Sequence, residues 1–391
     1  MESLRIAIIT ETLPQAKVNL QPWRYLGDLA QALQLEGHEA SVLTNDTDLT
    51  DWNGVRIDRH PRRDDFRSLR GLREQVRLRH LDSGIFRLTA GLFFSASRGP
   101  PAIPTESRLA GIFLRPLHSG KDLARRFLDP TLVPEIRIDR HHAGMYLSRR
   151  LGTWPAAVPL VDQFVFLWES DRQSGISAGL PEPASHVVRH PFDPFFLDRR
   201  PSSLGPRLSA AFPSVPRRVV FSGPPEATRG VDDVMRLVHV LPADLPTQVV
   251  LLLRDPRVPS PTLTRERVGV HERVVVRGLV TRNELRAIYQ ASHVAVFPYR
   301  FVRTGLPLVA LEAVAAGLPV VTTRVHPLRE LEGRTGLVFV NPRDPSDLAR
   351  AVRSAFDASR RKEILDRNEQ WIRSNPDWPA VARSFVSMFR G

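Results

Sequence analysis

The 391-residue chain contains no cysteine, which excludes disulfides, thiolate metal ligands and a thiol nucleophile. No apolar run approaches the ~18 residues of a membrane span. The opening MESLRIAIIT lacks a basic segment followed by a long apolar core, so no secretory leader is expected and a cytoplasmic location is. Lysine is nearly missing: Lys17, Lys121 and Lys362 are the only ones among 55 cationic residues. Catalytic signatures are missing as well. His-Glu-x-x-His and EF-hand patterns do not occur, and Gly120-Lys121 lacks the Gly five residues ahead that a phosphate-binding P-loop needs. His141-His142 has no third spaced ligand, so it is read as a solvated polar turn and no metal is expected. Gly175-Ile176-Ser177-Ala178-Gly179 fits a hydrolase elbow in spelling only, because Glu169 to Ser174 separate Ser177 from the strand that should present it. Basic residues are not interleaved with aromatics, so nucleic acid is not an expected partner.

What remains is a globular composition, 42% hydrophobic and 25% charged, on a length that suits two or three domains. The net charge is +13, and it is unevenly spread: Asn53 to Arg150 hold 19 Arg and 1 Lys against 10 acidic residues. This surplus is either a bias of genome composition or a basic face for an anionic lipid surface or an anionic acceptor. Phe66 to Leu81 sharpens the choice. Phe66, Leu69, Leu72 and Val76 form one apolar stripe flanked by arginines, which suits a membrane-surface helix or an ordinary helix facing a core.

The chain alternates short apolar runs with helical periodicity, the pattern of doubly wound α/β domains. Leu4–Thr10 and Ala40–Thr44 read as strands around an amphipathic helix over Tyr25–Glu36. Val55–His60, Ala110–Leu117 and Phe164–Trp168 read as further strands. Gly84 to Gly120 is otherwise hard to parse. The Pro-, Ser- and Arg-rich stretch Arg199–Pro216 reads as a linker. A second set follows: strands at Arg218–Gly223, Gln248–Leu253, Val274–Gly278 and Arg334–Val340, and helices from Asp232, from Asn283 and over Ser346–Phe356, with Ser346 as N-cap. Trp378–Phe389 is a final amphipathic helix.

The most informative stretch is Val294–Thr323, VAVFPYRFVRTGLPLVALEAVAAGLPVVTT. Val294–Phe297 reads as a buried parallel strand stopped by Pro298. Gly305 is expected to open a helix carrying Leu308, Leu311, Glu312 and Ala315, which Gly317 and Pro319 end. A helix N-terminus at the carboxyl end of such a strand favours a phosphate. Glu312, about two turns on, suits a sugar hydroxyl, since an ionised carboxylate only accepts hydrogen bonds.

Glu312-Ala313 followed by Gly317-Leu318-Pro319-Val320 resembles the donor-site signature of retaining glycosyltransferases of the GT-B fold, especially family four. The resemblance implies an α/β architecture of two doubly wound Rossmann-like domains facing across a cleft: 1–193 on the acceptor side, 194–375 binding the nucleotide-sugar, and 376–391 a helix returning to the N-terminal domain. It implies a donor set of Gly223, Arg229, Val280, Thr304, Gly305, Leu306, Pro307, Leu308 and Glu312. Glu312 would hold the ribose, Arg229 the diphosphate and the backbone near Val280 the base. His118, at the end of an N-domain strand, and Thr304 would face the transferred sugar, with His141 and His142 competing for the role of His118. Thr304 stands where the family has a first Glu, and Pro224 where it has a first cation. The Gly-Gly pair usual before the first helix is replaced by Leu20-Gln21-Pro22-Trp23. The implied reaction transfers a sugar from a nucleotide-sugar to a carbohydrate, lipid-linked or small-molecule acceptor, without cofactor or metal, with the leaving phosphate helping to deprotonate the acceptor. Two other readings keep the fold: a non-catalytic binding or scaffold protein, and a sugar phosphorylase or epimerase.

Overall fold

The computed structural model describes residues 2–15, 23–60, 62–97, 106–200, 217–242, 245–254, 264–268 and 271–391. Most of the expected linker, and Leu20–Pro22, lie outside the described residues. The first half contains β1 (Arg5–Leu13), α1 (Trp23–Leu35), β2 (Glu39–Thr47), β3 (Asp51–Trp52), β4 (Val55–Arg59), α2 (Leu69–Leu78), β5 (Ser83–Arg87), α3 (Ala90–Ala96), β6 (Arg108–Phe113), α4 (Gly120–Phe127), α5 (Ile136–Arg150), β7 (Gln163–Phe166), α6 (Glu169–Ile176), β8 (Ser185–Val187) and α7 (Pro194–Leu197). The second contains β9 (Arg217–Gly223), α8 (Val231–Val240), β10 (Thr247–Leu253), β11 (Thr264–Val268), β12 (His271–Arg277), α9 (Arg282–Gln290), β13 (Val294–Phe297), α10 (Leu308–Ala315), β14 (Val320–Thr323), β15 (Val338–Val340), α11 (Pro345–Phe356), α12 (Ala358–Ser374) and α13 (Trp378–Arg390).

The strands form two sheets, ordered β3-β4-β2-β1-β5-β6-β7-β8 and β11-β12-β10-β9-β13-β14-β15. Pairing is parallel except at the edge pairs β3–β4 and β11–β12. Parallel strands covered on both faces bury their whole length, which is why β13 and β14 are fully buried tetrapeptides. In each sheet the winding reverses beside the first strand, at β1/β5 and at β9/β13. The crevices at the carboxyl ends of those pairs are the natural ligand positions of such sheets.

Several local expectations are corrected. The helix expected from Gly305 begins at Leu308, because Pro307 sits at its N-cap in an extended conformation. His141-His142 is not a solvated turn: it lies within α5, and His142 is 2% exposed. The cap of α11 is Asp344, whose side chain accepts from Asp347 N–H, not Ser346. The final sheet strand is only Val338–Val340. Over Phe66–Leu81, a 3₁₀ turn precedes α2, and Phe66, Leu69, Leu72 and Val76 are all buried in the N-domain core. Arg73 on the same helix donates to Leu160 C=O at 3.0 Å and to Asp162 at 3.1 Å. The stripe therefore faces protein, not solvent. Among the described residues no helix is long and apolar enough to cross a membrane.

The last helix, α13, returns to the N-terminal half. Its Arg383 pairs with Glu36 at 2.9 Å, Gln163 donates to Met388 C=O at 3.3 Å, and Trp378 meets the Tyr25 ring edge-on at 5.3 Å. Val381, Ala382 and Phe385 on its inner face are fully buried. Phe385→Ala should therefore cost ~3–5 kcal/mol of stability, the usual price of emptying a buried aromatic site. A denaturant midpoint unchanged from wild type would show that α13 does not hold the two halves together.

Candidate functional site between the two sheets

The site is built where the carboxyl ends of β9, β10 and β13 face those of β1, β5 and β6. Glu312 lies on α10 with its side chain 7% exposed. A carboxylate so placed needs a cation or several donors, and Arg24 of α1, on the opposite domain, donates to it at 2.8 Å. Arg24 also pairs with Asp193, which Arg282 of α9 engages in turn. Asp28, one turn along α1, is pushed up to about 6 by burial, with Arg24 opposing the rise.

Arg229 precedes Gly230, which has φ 73° and would place a Cβ 1.9 Å from Pro298 C=O. Only glycine fits there, and it lets the loop bearing Arg229 lie against the end of β13. The Arg229 guanidinium sits 5.9 Å over the Tyr299 ring and pairs with Glu226 at 3.1 Å. Gly223 ends β9, and its carbonyl accepts from Arg254 N–H at 3.0 Å. Arg254, at the end of β10, stands within electrostatic range of Glu312, Arg229 and Arg24. Val280 is half-buried in the loop between β12 and α9.

Thr304, Pro307, Arg229, Tyr299 and Arg303 line a cavity of about 20 Å³, room for about one water. Gly305 explains part of this closeness. Its N–H donates to Leu114 C=O at 3.0 Å across the interface, and a Cβ on it would lie 2.3 Å from Leu167. The Gly305 amide, expected to face a phosphate, is thus already used, and Pro307 has none. Leu306 and Leu308 carry the remaining amides at the start of α10.

His118 is placed elsewhere than expected. It is 3% exposed, its Nε2 lies 2.8 Å from Val302 C=O, and its ring stacks on Phe301 at 4.1 Å. It lines a separate cavity of about 540 Å³ with Arg125, Arg300, His326 and Arg343, and Phe301 stands between this cavity and the one at Thr304. His118 and Thr304 are therefore not brought into one cavity. Among the described residues no group of three or more His, Asp or Glu is arranged to hold a metal ion.

The residues that sequence reasoning missed are mostly the partners. Arg303, between two expected contacts, pairs with Glu135 and, at 2.7 Å, with Asp139 of the facing domain. Glu135 accepts from Ala227 N–H at 2.6 Å and from the Thr228 hydroxyl at 2.9 Å. Such pairs have no sequence signature, because their members lie 92 to 168 positions apart in the chain and carry no fixed spacing. Arg254 had a signal: a lone cation closing the apolar run Val249–Leu253 at the carboxyl end of a strand.

Over residues 216–357 the chain matches the family model described as "Glycosyl transferases group 1". Among curated proteins it is similar to an uncharacterized glycosyltransferase of Methanocaldococcus jannaschii, at 30% identity over 32% of each chain. It is also similar to a glycogen synthase of Mycobacterium tuberculosis, at 38% identity over 29% of this chain and 27% of the relative. The chain thus spans about a third of the length of these relatives. In structure it resembles HepE of Anabaena, solved with UDP and glucose, with TM-score 0.68 and 12% identity over 99% of both chains. It resembles a sucrose-phosphate synthase of Thermosynechococcus elongatus with TM-score 0.67 and 14% identity over 98% of both.

Burial gives the interface a pH dependence. It lowers His118 and His141 to about 3 and His190 to about 4, so all three are neutral in the folded protein near neutral pH. From about pH 6.5 down to those values the unfolded chain binds more protons than the folded one, so stability falls with acidification. The apparent Tm should drop between pH 7 and pH 5, and less steeply in His118→Gln. Parallel curves for the two proteins would remove His118 from this account. The two sheets and the returning α13 give this chain the GT-B fold, and its residues 216–357 match the group 1 glycosyltransferase model.

Proposed function

We propose that this protein transfers a sugar from a nucleotide-sugar to an acceptor with retention at the anomeric carbon. The observation that carries the reading is Glu312: a buried carboxylate in the family-matched segment, at the carboxyl end of the sheet, aimed at the cleft. In this reading the ribose hydroxyls donate to Glu312. Arg229 and Arg254 neutralise the leaving diphosphate, with Arg254 supplying the cation that Pro224 does not. The amides of Leu306 and Leu308 add fixed dipoles at the start of α10. Thr304 offers the transferred sugar a neutral hydroxyl. No side chain is assigned as a covalent nucleophile; the leaving phosphate takes the acceptor proton.

The cavity of about 20 Å³ beside Thr304 cannot hold a diphosphate. Donor entry therefore requires the domains to part, breaking Arg24–Glu312 and Arg303–Glu135, and their return then excludes water from the reacting centre. The same observation favours a second reading, a protein whose closed interface is its resting and only state, acting as a scaffold. The acceptor, the nucleotide and association with a membrane surface stay part of the proposal, since the named activities belong to relatives of which this chain matches a third.

Thermal shift against UDP, GDP, ADP and their sugar conjugates separates the two. A ligand at a hundredfold its dissociation constant should stabilise by about 2.7 kcal/mol. One nucleotide is expected to raise the Tm of the wild type and not of Glu312→Ala. If no nucleotide acts at millimolar concentration, the scaffold reading takes its place.

A further inference from the structure

The N-terminal sheet carries its own crevice at the β1/β5 reversal, about 320 Å³ in volume and outside the donor set. This is within the range of small-molecule sites. Phe66 and Phe86 give it an apolar wall, while Thr10, Thr89, Glu11 and Arg87 give it polar groups. Arg87 closes β5, and its side chain makes no hydrogen bond or ion pair among the described residues. Arg115, in the loop after β6, is close to it, and the Arg115 Nε is buried without an acceptor.

The nearby carboxylates do not balance this charge. Glu11, beside Arg87, already accepts from Arg63 at 2.6 Å and from Arg67 at 3.1 Å. Asp139, beside Arg115, already pairs with Arg126 at 2.6 Å and with Arg303 at 2.7 Å. Both carboxylates are thus already engaged by other arginines. His141, the other ionisable group close to both arginines, is held neutral by its burial. Burial and the neighbouring Arg115 lower Arg87 itself to about 10. Two half-buried cations close together without a counter-ion of their own are costly, and the cost is recovered when an anion joins them.

We infer that this crevice takes the anionic group of the acceptor, a phosphate or carboxylate, on Arg87 with Arg115 behind it. Beside the anion the acceptor carries hydroxyls: Thr10, Thr89 and Glu11 are their partners, and Phe66 and Phe86 pack the carbon skeleton between them. This names the acceptor class within the transfer reaction proposed above and rests on that reading, but the anion site is testable without any transfer.

The probes are glucose 6-phosphate, glucose, and vesicles of phosphatidylglycerol or phosphatidylcholine, each at constant ionic strength, titrated calorimetrically or by co-sedimentation. Wild type should bind glucose 6-phosphate or phosphatidylglycerol, and the neutral counterpart about tenfold or more weakly, the loss expected for a charge-assisted hydrogen bond. Which of the two anionic probes binds identifies a soluble or a lipid-linked acceptor. Arg87→Gln should lose that preference, and its Tm without ligand should not fall, since it removes an uncompensated cation. Arg87→Lys should keep part of the binding. Arg229→Gln, on the donor side, should leave it intact. Binding lost in Arg229→Gln and kept in Arg87→Gln, or no anion preference at all, would overturn the site. Nucleotide binding is read separately: an Arg87-dependent anion site without any nucleotide response removes the transferase reading alone, and the reverse result removes the acceptor assignment alone.

Discussion

A carboxylate buried between two domains must find its cation, and Glu312 finds it on the other domain. Arg24 reaches across from α1 at 2.8 Å and holds Asp193 with its second nitrogen. The geometry of the cleft follows from this demand. Arg24 can serve both carboxylates only if α1 and α10 face one another, and α1 is set by the packing of α13 against it. Breaking one partner of such a buried set costs far more than the pair is worth against apolar replacements. The arrangement therefore fixes which faces meet more than it adds to stability.

The same logic explains where the arginine surplus goes. Within the basic stretch Asn53–Arg150, Arg73 ties α2 to the β6–β7 edge through Leu160 and Asp162, and Arg126 pins Asp139 of α5. These guanidinium groups are interior fasteners: Arg73 reaches a carbonyl and a carboxylate from one side chain, and Arg126 makes a fully buried ion pair. The basic face imagined from composition is thus partly consumed inside the fold. Arg87 and Arg115 are a local remainder of this surplus, set in and behind a crevice with no counter-ion of their own.

Much of the architecture is legible in the sequence because buried parallel strands and amphipathic helices have a period. Val294–Phe297, Val320–Val321 and the helix carrying Glu312 could be placed to within a few residues for that reason. Boundaries set by capping were harder: Pro307 delays α10 by three residues, and Asp344 displaces Ser346 as a cap. The stretch from Gly84 to Gly120 resisted reading because α3 is only seven residues long, too short to show periodicity. The turn assigned to His141-His142 failed for a different reason. Two histidines look hydrophilic in isolation, but α5 carries His142 under the loop of the facing domain, where Phe301 meets it edge-on at 5.3 Å. The candidate site was legible at Glu312 and Arg229, whose residue types and spacing carry chemistry. It was not legible at Arg24, Glu135 or Arg303, whose importance exists only once two distant segments meet.

The character of the interface bears on how such a cleft could work. Beside the Phe301 ring stacked on His118, its contacts near the candidate site include ion pairs and single hydrogen bonds: Arg303 to Glu135 and Asp139, His118 to Val302, Gly305 to Leu114, and the Glu330 carboxylate accepting from Glu169 N–H at 3.1 Å and Ser170 N–H at 2.9 Å. Groups of this kind recover most of their interaction from water when separated, unlike apolar surface, which loses it. Polar interfaces between domains are accordingly the ones that open. The apolar tie lies instead at α13, whose Val381, Ala382 and Phe385 are fully buried. A hinge at α13 with a polar, reversible seam at Thr304 and Glu312 lets the domains part without the chain losing its core. A nucleotide that brings its own hydroxyls to Glu312 and its own charge to Arg229 would replace the broken pairs in kind.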